Sequence, residues 1–148
     1  MYILKTESCF DSAHFLAGYR GKCSNLHGHR WRVVAEISAE ELGKAGQTRG
    51  MVLDFGDFKR DLAELTDYFD HALIAEDGSL KESTVEALRS ENFRILFVPF
   101  RPTAENLARL FYEKLEEKGY RVERTEVYET PENCAVYSKE MAGEHGES

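Results

Sequence analysis

A chain of 148 residues, 42% hydrophobic and 31% charged, has the make-up of one soluble globular domain long enough to bury a core. Its formal net charge of −8 argues against nonspecific binding to nucleic acid or to a membrane surface, though not against a small anion held by local cations such as Arg20, Lys22 and Arg30. No apolar run approaches the ~20 residues that span a bilayer, the first residues lack a signal-peptide pattern, and Cys9, Cys23 and Cys134 are an odd set at unpatterned spacings, so a cytoplasmic protein with free thiols is expected.

Residues 2–15 read as a strand in which Leu4, Phe10 and His14 share a parity, and Ala17–Asn25, with Gly18 and Gly21, read as a connection. Residues 27–38 are the second strand. Alternation places His27, His29, Trp31, Val33, Ala35 and Ile37 on one face and Arg30, Arg32 and Glu36 on the other. If the two runs pair as an antiparallel hairpin, His14 at the end of the first lies beside His27 and His29 at the start of the second. Three neutral imidazoles with no obligatory fourth protein ligand are the open coordination of a catalytic zinc. The plainer alternative is a set of hydrogen-bonded strand histidines.

Glu40–Arg49 is polar and reads as a surface turn. Asp54 is a good N-cap for a helix whose Phe55, Phe58, Leu62, Leu65 and Phe69 recur at steps of three and four, ending near Asp70-His71. Residues 79–92 are weakly helical, and Phe93–Phe100 reads as a short buried strand. Thr103 caps a second helix with Leu107, Ala108, Phe111 and Leu115 on one face and Gly119 as its stop, before a closing hairpin of Tyr120–Thr130 and Cys134–Ser138. The expected domain is 1–138, with 139–148, including His145, as a loose tail. The pattern predicts an α+β fold: an antiparallel sheet carrying two helices on one face. The other face and the edges of such a sheet need polar cover or a partner, which favours a homo-oligomer.

Six short stretches carry a resemblance: Phe10-x-x-Ala-His14, Cys23-x-x-x-His27-Gly-His29, Gly50-Met-Val-x-Asp54-Phe, Asp70-His71, Pro102-Thr-x-Glu105-Asn and Val127-Tyr-Glu129-Thr. Together and in this order they are similar to the 6-pyruvoyltetrahydropterin synthase family, and most like its 6-carboxytetrahydropterin synthase branch. The resemblance implies a tunnelling fold of ββααββ subunits that close into barrels, usually a homohexamer built as a dimer of trimers. It implies that His14, His27 and His29 hold Zn2+, that Cys23 is the catalytic thiolate with Asp70 and His71 as proton relay, and that Glu129 anchors a pterin ring with Thr103 and Glu105 lining the pocket. It further implies a lyase acting on 7,8-dihydroneopterin triphosphate to give 6-carboxytetrahydropterin, acetaldehyde and triphosphate, on the route to 7-deazaguanine (queuosine) nucleosides. The segment from Ile74 to Phe100 is longer than the pattern expects.

Each role has a competitor in the residues themselves. Cys23 also fits a fourth ligand of a closed structural zinc, in a non-enzymatic binding module, or an inert loop thiol. Asp70 and His71 also fit ordinary helix-end residues. Glu129 also fits a solvated edge carboxylate; as a site residue it would accept two ring N–H groups of a guanidine-like heterocycle. The resemblance also leaves open a related pterin side-chain lyase with a pyruvoyl product, for which it implies the same first proton shifts. A zinc peptidase is disfavoured by the absence of a His-Glu-x-x-His helix.

Overall fold

The structure is a computed structural model and describes residues 1–139. Six strands form one mixed sheet: β1 (Tyr2–His14), β2 (His27–Ala39), β3 (Ala72–Glu76), β4 (Ile95–Val98), β5 (Val122–Thr130) and β6 (Asn133–Tyr137), in the order β4-β3-β1-β2-β5-β6. Three helices lie between them: α1 (Phe55–Phe69), α2 (Glu82–Ser90) and α3 (Ala104–Glu117).

The expected hairpin is present along its full length, with Tyr2 opposite Ala39 and His14 opposite His27. β5 and β6 extend it antiparallel on the β2 side. Two strands outside the simple pattern extend the other side. β3 and β4 run parallel to β1, and β3 touches it only at Ser12–His14. The sheet is therefore mixed, because the chain returns through α2 between β3 and β4 and such a crossover leaves both strands pointing the same way.

Alternation decides the core. Phe10 from β1 and Trp31, Val33 and Ile37 from β2 are buried against Phe58, Leu62 and Phe69 of α1 and Leu107, Phe111 and Leu115 of α3. Phe10 stacks on Trp31 with centroids 5.9 Å apart and leans on Phe69 and Phe111. Burying each such side chain stabilises by roughly 1.5–3 kcal/mol, which is why α1 and α3 stay on this face. Buried hydroxyls tie the layers together: Tyr112 donates to Val122 O at 2.8 Å and Thr125 to Ala108 O at 2.6 Å. α2 has no buried residue and stands outside this core.

Capping follows the sequence at both main helices. Asp54 accepts from Gly56 N at 2.7 Å, and Thr103 accepts from Asn106 N at 3.2 Å. α3 stops at Gly119, whose φ of 99° lets Tyr120 N turn back to Leu115 O. No helix among the described residues is long and apolar enough to cross a membrane. Of the expected tail, Lys139 pairs with Glu116 at 2.6 Å, and residues 140–148, with His145, lie outside the described residues.

Candidate active site

The three histidines meet at the end of the hairpin, on the core face. One ligating nitrogen from each of His14, His27 and His29 lies within 4.8 Å of the others. Trp31, next on the same parity, sets its ring edge to face against both His14 and His29, at 4.8 and 5.3 Å, and its indole N–H donates to Ser12 O. The site is thus an extension of the hydrophobic core rather than a loop construction.

Proton positions follow from the neighbours. His14 Nδ1 lies 2.7 Å from Pro102 O and His27 Nδ1 lies 2.6 Å from Asn25 O. A carbonyl can only accept, so each Nδ1 carries its hydrogen, and each neutral ring keeps a bare lone pair on Nε2. Those two Nε2 atoms are 3.0 Å apart. Glu129 Oε1, another acceptor, sits 3.3 Å from His14 Nε2 and 3.5 Å from His29 Nε2. The buried His29 Nε2 has no hydrogen-bond partner. The bare Nε2 atoms of His14 and His27 and the Glu129 carboxylate oxygen cannot donate to one another, an arrangement that a cation would satisfy. Bonds of about 2.0–2.1 Å at tetrahedral angles would set the nitrogens roughly 3.3 Å apart, so small adjustments suit the trio to a divalent ion.

Burial disfavours the charged form of two of the rings, His14 and His29. Burial, opposed by the Pro102 bond and aided by the other two histidines, lowers the His14 pKa to about 4. His29 is also lowered, chiefly by burial, with Glu129 working against it.

Glu129 reaches the site by simple alternation, sharing the core-side parity of Thr125 and Val127. Pairing of β5 with β6 slips between Tyr128 and Thr130, so Glu129 has no partner on β6. Glu129 borders a cleft of about 420 Å³ with Cys9, His29, Arg32, Tyr128 and Pro131.

Asp70 and His71 form a pair of their own beyond the end of α1. Asp70 Oδ2 accepts from His71 Nδ1 at 2.8 Å, and Asp70 Oδ1 accepts from Asp11 N at 2.8 Å. The Asp11 amide, with His71 adding to it, holds the Asp70 carboxyl below the usual carboxylate range. His71 N in turn donates to Asp11 O at 2.7 Å. His71 opens onto a larger cleft of about 740 Å³, which it shares with His29, Arg30, Leu73 and Phe93. His29 and Arg30 border both clefts.

The remaining expected residues lie apart. Cys23 is exposed in a single 3-10 turn, Lys22–Ser24, and its sulfur is not within the three-histidine group. Thr103 is occupied as the α3 cap, and Glu105 is exposed in the first turn of that helix. Sequence reasoning missed Asp11, Asn25 and Pro102, whose contributions are backbone groups that leave no side-chain signal; Trp31, by contrast, stood in plain view on the histidine parity.

Known proteins bear on this geometry in two ways. The chain is 36% identical over 142 residues to the 6-carboxy-5,6,7,8-tetrahydropterin synthase of Haemophilus influenzae, covering 94% of this chain and 100% of that one. It is 31% identical over 139 residues to the protein of the same name from Synechocystis, covering 93% of each. Among solved structures, a 6-pyruvoyltetrahydropterin synthase of Plasmodium vivax superposes with a TM-score of 0.66 at 19% identity, over 92% of this chain and 96% of that one. That of Caenorhabditis elegans gives 0.61 at 24% identity, over 93% and 96%. These likenesses show the fold, that of a tunnelling-fold subunit. The sequence profile of the 6-pyruvoyl tetrahydropterin synthase family extends over residues 3–140, from the first strand past the last, and the chain belongs to this family of enzymes.

Proposed function

We propose that this protein is a zinc-dependent lyase that converts 7,8-dihydroneopterin triphosphate to 6-carboxytetrahydropterin, acetaldehyde and triphosphate, in the supply of 7-deazaguanine (queuosine) nucleosides. The observation that carries it is the convergence of one ligating nitrogen from each of His14, His27 and His29 with the Glu129 carboxylate beside an open cleft. Relatives named 6-carboxy-5,6,7,8-tetrahydropterin synthase support the choice of product.

His14, His27 and His29 would hold the ion, imidazole being a preferred zinc ligand. When bound, zinc supplies a Lewis acid next to the hydroxylated side chain of the substrate. Glu129 accepts two N–H groups of the pterin's guanidine-like edge and so places that side chain at the triad; rings without those donors leave a charged acceptor unpaired and are rejected. Cys23, as thiolate, takes a proton from the substrate side chain. Asp70 holds His71 Nδ1–H, leaving His71 Nε2 to exchange protons with the reacting oxygens. Cys23 and His71 are both exposed, and Cys23 does not line the cleft of about 740 Å³ that His71 borders. This supports reading the site as completed between copies of the chain, in a homohexamer.

Zinc-loaded protein incubated with 7,8-dihydroneopterin triphosphate is expected to release acetaldehyde and to lose that activity in Cys23→Ala. Failure to release acetaldehyde overturns the reading. A pterin product with the mass of the pyruvoyl compound favours the sister reaction instead, which the fold-level likeness to pyruvoyl-forming enzymes keeps in view. A sulfur in the first coordination shell, seen by X-ray absorption, favours a closed structural zinc.

A further inference from the structure

α1 ends without the usual stop signals. Helix C-termini are commonly closed by a left-handed glycine and a basic side chain in the last turn. Here Phe69 is followed by Asp70 and His71, and the last turn has no basic residue. His71 itself occupies the left-handed region, at φ 53°. A non-glycine residue stays there only where its surroundings hold it.

The missing donors come from elsewhere in the chain. Asp67 O accepts from Asp70 N, and Phe69 O accepts from Ser12 Oγ. The other two terminal carbonyls accept from one guanidinium: Arg94 Nη2 donates to Tyr68 O, and Arg94 Nη1 donates to Asp70 O at 3.0 Å. The same group lies over the Tyr68 ring, 5.3 Å from its centroid. On the far side of His71, Leu73 N donates to Arg94 O at 3.0 Å. Arg94 therefore grips the turn before and after His71. It belongs to the segment between Ile74 and Phe100, which is longer than the family pattern expects.

We infer that Arg94 is a positioning residue for the Asp70–His71 pair, acting as the C-terminal cation that α1 lacks and locking the left-handed turn that aims His71 into its cleft. The inference rests on the relay role proposed for that pair. A planar fork suits two carbonyls at once, whereas a lysine ammonium is a point charge on a flexible stem.

The test uses Arg94→Ala, Arg94→Lys, His71→Ala and the double variant Arg94→Lys with His71→Ala, assayed with 7,8-dihydroneopterin triphosphate. Arg94→Ala is expected to lower kcat by roughly 10- to 100-fold with KM changed by less than about threefold, and Arg94→Lys to recover part of the loss. Without zinc or substrate, Arg94→Ala should also speed hydrogen exchange of the His71 amide while the amides of the β1–β2 ladder keep their protection. In the His71→Ala background, Arg94→Lys should cost nothing further, because its effect passes through the absent imidazole. A wild-type kcat in Arg94→Ala, or independent losses that add in the double variant, overturns the inference. Wild-type activity in His71→Ala overturns the relay reading and the inference with it. If Arg94→Ala does not fold, Arg94→Lys carries the same comparisons.

Discussion

At the scale of single residues, His14 carries the most consequence. Its ring is almost fully enclosed, and burial lowers its pKa to about 4 from 6.5. A histidine released by unfolding binds its proton at the higher value, so between these limits the unfolded chain holds more protons than the folded one, and stability rises with pH. The contribution is fully present above pH 6.5 and is lost as pH falls towards 4, by on the order of 3 kcal/mol if the whole shift is realised. Denaturant melts of metal-free protein at pH 7.5 and pH 5 should show about 2 kcal/mol of that loss, pH 5 being still above the folded pKa, and a His14→Gln variant should show a flatter pH dependence; equal slopes in the two proteins contradict it. Glu129 is tested differently. Glu129→Gln keeps the shape but puts an N–H donor where two ring donors must be met, so kcat/KM for the pterin substrate should fall by roughly 10²-fold or more while bound zinc, measured by atomic absorption, stays near one per chain. Loss of zinc in that variant would instead make Glu129 a metal ligand.

Elements show what a linear reading can and cannot extract. The β1–β2 hairpin was legible because the parity of Phe10 in the first strand and of Trp31, Val33, Ala35 and Ile37 in the second is apolar and leads into the three histidines. α1 and α3 were legible from apolar steps of three and four and from Asp54 and Thr103 at their starts. β3 was not: Ala72-Leu-Ile-Ala-Glu76 is too short to show a period, and its pairing with three residues of β1 is a tertiary event. The same limit hid Arg94, whose partners lie 24 and 26 positions away. Thr103 illustrates a residue with two readings, a pocket wall or a helix cap. Its side chain already accepts from Asn106 N, and the Pro102 carbonyl beside it orients His14. Thr103→Ala should therefore cost about 1 kcal/mol of stability, with Thr103→Ser restoring it. KM should be unchanged in both; a rise in KM with stability intact would return Thr103 to the pocket.

On the scale of the whole molecule, the sheet has two unfinished borders. β3 covers only the last three residues of β1, which leaves Tyr2–Asp11 with no strand on that side among the described residues, and β6 ends the sheet on the other. Tyr2, Ile3 and Val136 on these borders are about half exposed. Long exposed edges template pairing with another chain, and joining two different edges of identical copies head to tail gives a closed ring when the rotation permits. A ring of copies fits that logic, and for the proposed hexamer sedimentation at micromolar concentration should give the mass of six chains. Its chemical consequence can be tested without a structure. If Cys23 of one copy faces His71 of another, Cys23→Ala and His71→Ala each keep only a small residual rate alone, yet co-refolded mixtures contain sites drawn from the unmutated residue of both. Random assembly at equal input restores about a quarter of the wild-type rate, whereas a site built within one chain restores nothing at any ratio.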